Sequence, residues 1–265
     1  MPEGHTIHRY ARLHRRALAG SAVAVSSPQG RFSADAAILD GRTLEDVDAR
    51  GKHLFYRWED DLTLHVHLGL FGKFRSHRSL PPPDPTPGTR MALRAGETTI
   101  YLSGPTDCRL IDAGEEDAIR NRLGPDPLAD GDAAAFAANL DRRTVGIGAA
   151  LLDQKAVAGI GNVYRAEALF LEGIHPDTRA RDIGEDRAAR LWDRMTDLLR
   201  AGERAGRIVT VDPAEVGAAT PRDLAREERL YVYKRAGEPC RRCGAAVGSW
   251  ESAGRSIWAC ESCQT

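Results

Sequence analysis

Apolar and polar positions alternate along short segments of the first half of the chain, and turn residues separate these segments. Such alternation is typical of half-buried β-strands, and many short strands indicate a β-sandwich or a barrel. An earlier segment, residues 5–18, carries apolar side chains at helical spacing and predicts a helix. The predicted strands are Ala22–Ser26, Leu44–Arg50, Leu54–Trp58, Leu62–His67, Ala92–Ala95, Thr98–Leu102 and Arg109–Asp112.

The second half of the chain changes to a helical pattern. Residues 185–204 predict an amphipathic helix because their apolar side chains recur on one face. Two more helices are predicted over residues 148–158 and 163–172, on either side of a glycine-rich turn. Residues 125–135, rich in glycine, proline and aspartate, predict a linker. The predicted domains are therefore residues 1–124, 136–229 and 230–265, the last a small cysteine-containing module.

Length and charge limit the possible classes of protein. A chain of 265 residues is long enough for one large domain or two modest ones. It has no apolar run of about 18 residues and no signal-peptide pattern, so we expect no membrane span and a cytoplasmic location. The net charge of −1 does not by itself indicate a nucleic-acid-binding protein. An acidic stretch over residues 112–132 offsets basic segments elsewhere, however, so the neutral total is compatible with a basic DNA-binding face.

Lysine is scarce in this chain. It has only Lys52, Lys73, Lys155 and Lys234, so 33 of its 37 basic residues are arginine. Arginine suits phosphate contacts, but it stays protonated and makes a poor proton donor or acceptor. A catalytic amine must therefore be one of these four side chains or the N-terminus.

Four of the five cysteines form a paired motif at the C-terminus: C-x2-C, sixteen residues, then C-x2-C. In a chain expected to be cytoplasmic, this spacing indicates a structural zinc site and not disulfides. Arg255 lies between the two pairs, where the tip of a hairpin is expected, and an arginine there can reach a phosphate. Taken alone, such an arginine is more often simply solvated. The four zinc ligands are Cys240, Cys243, Cys260 and Cys263.

The segment Gly159-Ile160-Gly161-Asn162 predicts a tight turn that leads into a helix. Exposed backbone amides at the start of a helix favour an anion, and the side chain of Asn162 can add a donor to the same phosphate. The alternative is a plain pair of helices in which Asn162 caps the second helix. The motif alone leaves both interpretations open.

The N-terminus offers an unusual nucleophile. Removal of Met1 exposes the secondary amine of Pro2, and an N-terminal amine has an unperturbed pKa near ~8. Such an amine can attack the C1′ atom of a sugar and form an iminium, while the carboxyl of Glu3 moves protons at the ring. Lys52 follows Gly51 at the predicted start of a strand, where a small residue allows a close approach. Its alternative role is that of an exposed turn lysine.

These motifs occur together and in order, and the chain resembles the formamidopyrimidine-DNA glycosylase / endonuclease VIII family over essentially its full length. The matching segments are MPEG (1–4), RGKHL (50–54), LLDQKAVAGIGNVYRAEALF (151–170) and the cysteine module. The resemblance implies a multidomain α/β (α+β) fold. Its parts would be an N-terminal two-layer β-sandwich, a helix–two-turn–helix domain and a C-terminal β-hairpin zinc finger, with DNA in a cleft and the damaged nucleotide flipped out.

The resemblance also implies an activity: a bifunctional DNA glycosylase and AP lyase of base-excision repair. Pro2 is then the Schiff-base nucleophile and Glu3 the general acid and base. Lys52 assists elimination and contacts phosphate. Asn162 and Arg255 hold the phosphates that flank the lesion, and Arg255 assists δ-elimination. The expected partner is damaged double-stranded DNA, bound by a monomer that carries one structural Zn²⁺ and works at the bacterial nucleoid.

Some residues bear on which branch of the family the chain resembles. Leu70 and Phe71 lie where the family has residues that fill the space left in the DNA, and Lys155 and Arg109 are expected to contact DNA as well. Residues 104–112 depart from the DPRRFG-like loop of the 8-oxoguanine branch. The endonuclease VIII branch, with oxidised pyrimidines as substrates, is therefore favoured. The alternative is a preference of the 8-oxoguanine/formamidopyrimidine type.

Two interpretations from other classes remain. A non-catalytic binder of damaged DNA or of RNA would keep the fold, but it would have no need to keep Pro2, Glu3 and Lys52 together. A zinc-ribbon transcription accessory factor would explain the cysteines and leave the N-terminal motifs unexplained. The reaction that forms a Schiff base discriminates the enzyme from both.

Overall fold

The computed structural model describes residues 2–129 and 131–265. Met1, whose removal is predicted above, and Asp130 of the predicted linker lie outside the described residues. The chain divides into two compact units, Met1–Asn121 and Arg122–Thr265. This division falls three residues before the end predicted for the first domain, and the finer separation at residue 229 stays a prediction.

The first unit is built from two antiparallel sheets and one long helix. A five-stranded sheet has the order β1-β3-β4-β5-β9, and a four-stranded sheet has the order β2-β7-β8-β6. The helices are α1 (Gly4–Leu18), α2 (Ser33–Leu39) and α3 (Ala113–Asn121). The strands are β1 (Ser21–Ala22), β2 (Ala24–Ser26), β3 (Thr43–Arg50), β4 (His53–Trp58), β5 (Leu62–His67), β6 (Lys73–Arg78), β7 (Thr89–Ala95), β8 (Thr98–Ser103) and β9 (Asp107–Ile111).

One hydrophobic core lies between the two sheets. Leu54 and Val66 of the first sheet and Leu93 and Leu102 of the second belong to the same buried cluster, together with Ile7 of α1. Alternate residues of each strand therefore face inward, as the period of two predicts. The expected two-layer β-sandwich is confirmed.

Helix α3 covers part of the outer face of the five-stranded sheet. Ile119 packs there against Phe55 and Ile111. Around this apolar contact, Arg57 makes a bidentate ion pair with Glu116, which also accepts a hydrogen bond from Arg120 Nε at 2.6 Å. The helix is thus held by both apolar packing and partly buried charge. The sequence pattern did not predict α2, β6 or α3.

The second unit begins with helices. They are α4 (Ala133–Asp141), α5 (Ile147–Ala150), α6 (Asn162–Leu171) and α7 (Glu185–Ala205), with single 3-10 turns at Ala180–Asp182, Pro213–Val216 and Arg226–Glu228. Phe136, Leu169 and Leu191 come from three of these helices and share one buried cluster. The helices predicted over residues 163–172 and 185–204 are confirmed.

The helix predicted over residues 148–158 is wrong beyond Ala150. Side chains of the following residues bond to the backbone and replace the helical pattern with turns. Asp153 accepts from the amide of Lys155 at 2.9 Å, and Gln154 accepts from the amide of Gly159 at 3.1 Å while its Nε2 donates to the carbonyl of Ile160 at 3.0 Å.

Part of the segment predicted as a linker is packed into the second unit. Asp126 is 1% exposed, and its carboxylate accepts from the amide of Leu128 at 2.9 Å. The amide of Gly124 donates to the carbonyl of Gln154 at 2.8 Å. Residues that by composition resemble a linker thus form a compact turn. Its buried backbone groups find hydrogen-bond partners within the second unit, as buried polar groups must. Helix α4 begins within the same segment.

The C-terminal module is a hairpin with two cysteine pairs beside it. Its strands are β10 (Gly248–Ser252) and β11 (Arg255–Ala259). Over the described residues, no helix has both the length and the apolar character that a membrane crossing would require.

Candidate active site and nucleic-acid interface

Pro2 and Glu3 precede the first turn of α1. Glu3 is fully buried, and its carbonyl accepts from the amide of Thr6 at 2.9 Å, so it starts the helix in an extended conformation. The positive end of the helix dipole favours a carboxylate at this position. Pro2, by contrast, is half-buried. A fully buried carboxyl thus lies next in the chain to a half-buried proline.

Lys52 lies in the two-residue turn that joins β3 to β4. Arg50 pairs with His53 across this turn, and Gly51 has a φ of 58°, which glycine adopts without strain. Lys52 and Pro2 line the same small cavity, about 20 Å³, although they are far apart in the sequence. Its other walls are Ile7, His67, Leu68 and Gly69. The first unit therefore brings two of the predicted catalytic residues together.

A chain of hydrogen-bonded histidines reaches this turn from the neighbouring strands. His53 Nδ1 lies 2.9 Å from His65 Nε2, and His65 Nδ1 lies 3.1 Å from a carboxylate oxygen of Asp107. Burial is the largest influence on His65 and lowers its pKa, while the carboxylate of Asp107 acts in the opposite direction. With Asp107 as acceptor, His65 Nδ1 carries the proton, and its Nε2 accepts from His53. The carboxylate of Asp107 thereby sets the tautomer of a neutral His65.

The segment Leu68–Gly72 is a tight turn that we call the wedge turn. The amide of Gly72 donates to the carbonyl of Leu68 at 2.9 Å. A Cβ atom on Gly72 would lie 2.3 Å from that carbonyl oxygen, and one on Gly69 would lie 1.9 Å from Thr106 Oγ1. Only glycine fits at both places. Between them Leu70 and Phe71 are 56% and 84% exposed, so two large apolar side chains project into solvent.

Arg109 does not line the cavity of Pro2 and Lys52. It lies on β9, and its guanidinium pairs with Glu115 at 2.7 Å and with Asp107 at 3.5 Å. Lys155 is exposed in the loop after α5 of the second unit. Sequence position alone gave no sign of the ion pairs that occupy Arg109.

In the second unit, the start of α6 is bonded to the hairpin. Asn162 Nδ2 donates to the carbonyl of Ser256 at 3.1 Å, and Arg165 Nη2 donates to the same carbonyl at 3.0 Å. Arg165 is fully buried and also bonds to Asn162 Oδ1 and, at 3.2 Å, to the carbonyl of Gly148. The amide nitrogen of Asn162 has two N–H groups, so one remains available for a further acceptor.

Arg255 follows the tip of the hairpin at once. Ala253 and Gly254 have φ values of 53° and 68°, which is the conformation of a type I′ hairpin turn. Arg255 pairs with Ser252 across the turn and is exposed, as the spacing predicts. Because Ser256 is the acceptor for Asn162 and Arg165, the hairpin tip is positioned by the start of α6. Asn162 and Arg255 are therefore held in fixed positions relative to each other through Ser256.

The four cysteines can hold a metal ion. Their Sγ atoms all lie within 4.8 Å of one another. The Sγ atoms of Cys240 and Cys263 are 3.9 Å apart, and those of Cys243 and Cys260 are 3.4 Å apart. Four thiolates around zinc at about 2.3 Å would be ~3.8 Å from each other, whereas a disulfide needs about 2.05 Å. The spacing therefore fits a tetrahedral metal site.

Comparison with known families agrees with this geometry. The family model "Formamidopyrimidine-DNA glycosylase N-terminal domain" matches residues 1–112, and "Formamidopyrimidine-DNA glycosylase H2TH domain" matches residues 123–212. The chain belongs to the formamidopyrimidine-DNA glycosylase family. Members of this family are DNA glycosylases with AP lyase activity, so the protein is a DNA-repair enzyme of base excision.

Relatives and a solved structure match most or all of the chain. Endonuclease 8 1 of Mycobacterium tuberculosis is 44% identical over 269 residues and covers 100% of both chains. The formamidopyrimidine-DNA glycosylase of Thermus thermophilus is 34% identical over 86% of this chain and 85% of its own. The Lactococcus lactis glycosylase in complex with DNA containing an abasic site has a TM-score of 0.81 at 25% identity, with 99% of each chain covered.

Two features of this family member escaped the sequence interpretation. One is the chain Asp107–His65–His53, whose members lie on three different strands, so no local spacing marks it. The other is Glu167, which is fully buried in α6 and accepts from the amides of three successive residues. Those amides belong to Tyr231, Val232 and Tyr233, at 2.8, 2.9 and 2.8 Å. Glu167 thus ties α6 to the segment that leads into the first cysteine pair.

Proposed function

We propose that the amine of Pro2, exposed by removal of Met1, attacks C1′ of a flipped, oxidised pyrimidine nucleotide in damaged double-stranded DNA. The observation that carries this proposal is the single cavity lined by Pro2 and Lys52, with the buried carboxyl of Glu3 next to it in the chain. An N-terminal amine has a pKa near ~8, so a useful fraction is unprotonated at neutral pH.

In the first step, the lone pair of the Pro2 nitrogen forms the bond to C1′, and the bond from C1′ to the base breaks. The base leaves with that electron pair and is neutralised by a proton, while the Pro2 nitrogen loses its own proton. The C1′–O4′ bond then opens to give an iminium, and Glu3 supplies the proton that O4′ needs. A buried carboxyl at the start of a helix suits this exchange because it is shielded from bulk water.

In the second step, the iminium draws electrons from the C2′–H bond. In β-elimination the C2′ proton is lost and the C3′–O bond breaks, and in δ-elimination the C4′ proton is lost and the C5′–O bond breaks. Each phosphate leaves with the electron pair of its bond, so the strand is nicked on both sides. Lys52 assists elimination and contacts phosphate, and Arg255 assists the δ step. The histidine chain supports this role of Lys52, since it holds His53, the next residue of the same turn.

Further residues hold the DNA. Asn162 and Arg255 bind the phosphates that flank the lesion, which their shared anchorage at Ser256 supports. Leu70 and Phe71 replace the lost base stacking, in keeping with their exposure. Lys155 adds a contact to DNA, and Arg109 contacts the opposite strand when DNA displaces Glu115 from its guanidinium.

The four cysteines bind one structural Zn²⁺. The sulfur spacing supports this metal, and four thiolates leave no open position for a substrate. Zinc would supply the folding free energy that a small module lacks, and so hold the hairpin that carries Arg255. We also propose that the enzyme acts as a monomer in the cytoplasm, at the nucleoid; its relatives are bacterial proteins.

Two observations support oxidised pyrimidines as substrates. Residues 104–112 depart from the loop of the 8-oxoguanine branch, and the 44% identical relatives are named endonuclease 8. The Thermus relative is named formamidopyrimidine-DNA glycosylase. The test therefore compares oxidised pyrimidines with the alternative, a preference for 8-oxoguanine or formamidopyrimidine lesions. The test is a cleavage panel of thymine glycol, dihydrouracil, 8-oxoguanine and a bare abasic site. Faster cleavage of 8-oxoguanine than of both pyrimidines would reject the assignment.

The nucleophile is tested by borohydride trapping on abasic DNA, after intact-mass measurement has established that Met1 is absent. Wild-type protein should form a covalent adduct, and a preparation that retains Met1 should not, because its Pro2 nitrogen is an amide. Glu3→Gln should still be trapped on abasic DNA, because the ring-opened aldehyde form of that sugar needs no proton at O4′, but it should excise thymine glycol far more slowly. Absence of any adduct from processed wild-type protein would leave only a DNA-binding function.

A further inference from the structure

A basic groove lies at one end of the four-stranded sheet of the first unit. Its volume is about 440 Å³, and it is lined by three cationic side chains, Arg31, Lys73 and Arg90. No acidic side chain lines it. Arg90 Nε donates to Gln29 Oε1 at 3.0 Å, which holds that guanidinium at the wall of the groove.

The charges of this groove are not neutralised locally. Among the described residues, none of Arg31, Lys73 and Arg90 has a carboxylate within 4.0 Å. In the same unit, by contrast, Arg57 and Arg109 are held by carboxylates. Cations concentrated without anions, in an open groove, favour a polyanionic ligand over a small neutral one.

The wedge turn separates this groove from the cavity of Pro2. Leu68 and Gly69, at the start of the turn, line the cavity, while Phe71, near its end, lines the groove. Lys73 begins β6 directly after the turn and pairs with Ser103, another lining residue. One short loop thus has the proposed nucleophile on one side and three cations on the other.

We propose that the groove binds phosphates of the DNA strand opposite the lesion. The inference rests on the proposed function, because it takes Pro2 as the group that meets the damaged strand. If Leu70 and Phe71 insert into the duplex, they stand between its strands at the vacated position. The damaged strand is then on the side of the Pro2 cavity, and the intact strand lies on the side of Arg31, Lys73 and Arg90. Arginine and lysine there bind the backbone without regard to sequence.

The first experiment measures how binding depends on salt. Wild-type protein, Arg31→Gln, Lys73→Gln, Arg90→Gln and the triple variant are titrated with a duplex that contains a stable abasic-site analogue. Each phosphate contact adds about 0.9 to the slope of log affinity against log salt concentration. Each single variant should therefore lower the slope by about one, and the triple variant by about two to three.

Arg94→Gln is the matched control. Arg94 is exposed on β7, the strand that carries Arg90, but it does not line the groove. It should leave the slope at the wild-type value. A triple variant with the wild-type slope, or an Arg94 variant with an equal loss, would overturn the proposal. Thermal unfolding of every variant checks that the substitutions leave the fold intact.

The second experiment identifies the strand. Single phosphates of the same duplex are replaced by uncharged methylphosphonates, one position at a time on each strand. Wild-type protein should lose affinity at one to three positions opposite the lesion, and the triple variant should be indifferent at those positions. If the triple variant became indifferent only to methylphosphonates on the damaged strand, the assignment to the opposite strand would be wrong. If the triple variant does not fold, the wild-type scan alone decides whether the opposite strand carries charge-dependent contacts.

These readouts are separate from the chemistry of Pro2. A single-stranded oligonucleotide with an abasic site has no opposite strand, so the triple variant should be trapped on it at the wild-type rate. Failure of wild-type trapping rejects the proposed nucleophile. Unchanged salt slopes in a protein that is trapped normally reject only the groove.

Discussion

The side-chain amide of Asn162 donates a hydrogen bond to the carbonyl of Ser256 at 3.1 Å. Ser256 is next to Arg255, so the residue that starts α6 also holds the exposed arginine of the hairpin. The buried guanidinium of Arg165 bonds to both Asn162 and Ser256. Two phosphate-binding candidates that are far apart in the sequence are thereby fixed to one another through backbone and amide groups.

Replacement of Asn162 tests this coupling. Asn162→Ala removes the bond to Ser256 and one acceptor of the buried Arg165 guanidinium, and the loss of such a partner costs about 1–3 kcal/mol. We expect affinity for a duplex with an abasic-site analogue to fall by about tenfold or more. Trapping at saturating enzyme should change little. Asn121→Ala, at the exposed last residue of α3, is the control. Equal affinities for the two variants would remove Asn162 from the interface.

Chelation of the metal tests the role of the cysteine module. The module has a small core, so loss of zinc should unfold the hairpin and weaken DNA binding. The first unit has its own core and should keep its helix and strand signals in circular dichroism. Borohydride trapping at high enzyme concentration should persist, because Pro2 and Lys52 belong to that unit. Unchanged affinity after verified metal removal would show that Arg255 does not contribute through the zinc-supported hairpin.

Glu167 is expected to be a strong contributor to stability. Its carboxylate accepts from the amides of Tyr231, Val232 and Tyr233 and from Thr210. In Glu167→Gln an amide NH₂ replaces one acceptor oxygen and faces backbone donors, which should cost about 2–4 kcal/mol. Urea unfolding measures this loss. Glu185→Gln, on the exposed first turn of α7, should cost less than about 1 kcal/mol. A loss no larger than this control would contradict the buried network.

The sequence predicts elements whose pattern is local. The strand Leu62–His67 has the predicted bounds, because its alternation and its turn residues are contained in one short segment. The spacing of the four cysteines likewise predicts that they cluster, and it predicts that Arg255 follows the hairpin turn. Strand β6 escaped prediction because Phe74 is its only apolar residue and its other side chains are polar. At the edge of a sheet, pairing with β8 determines such a strand, and its own pattern does not.

Contacts between distant parts of the chain explain the other omissions. Glu167 lies 64 residues or more from the amides that it binds, and nothing near it marks an acceptor of backbone donors. The groove of Arg31, Lys73 and Arg90 draws on three separate segments. Arginine is abundant throughout the chain, so composition gave no reason to group these three residues. The sheet brings Lys73 and Arg90 together, and the loop between β2 and α2 adds Arg31.

His65 offers a test of the histidine chain. His65→Phe keeps a ring of similar size but removes the bonds to Asp107 and His53, so the turn that carries Lys52 loses a support. Misplacement of a catalytic group by about 1 Å can cost up to about a hundredfold in rate. We expect strand incision on abasic DNA to slow by about tenfold, with little change in affinity. His77→Phe, on β6, is the control and should incise at the wild-type rate. If the His65 variant incised equally fast, the hydrogen-bonded histidines would have a structural role only.

His14 makes the stability of the first unit depend on pH. It is fully buried, its Nδ1 lies 2.7 Å from the hydroxyl of Tyr56, and burial lowers its pKa from 6.5 to about 3. Between these values the unfolded chain binds a proton that the folded protein does not. Stability should therefore be intact above pH 6.5 and should decline as the pH falls towards 3, by at most about 1.4 kcal/mol per pH unit from this group.

The variant His14→Gln isolates this contribution. Glutamine can still bond to the hydroxyl of Tyr56, but it does not titrate. The variant should be less stable than wild type at neutral pH because it packs less well against Tyr10 and Phe74. The difference between the two proteins should shrink as the pH falls, since only wild type loses stability through His14. Urea unfolding at several pH values measures this, with His77→Gln as the control. A constant difference from neutral to acid pH would show that protonation of His14 is not coupled to unfolding.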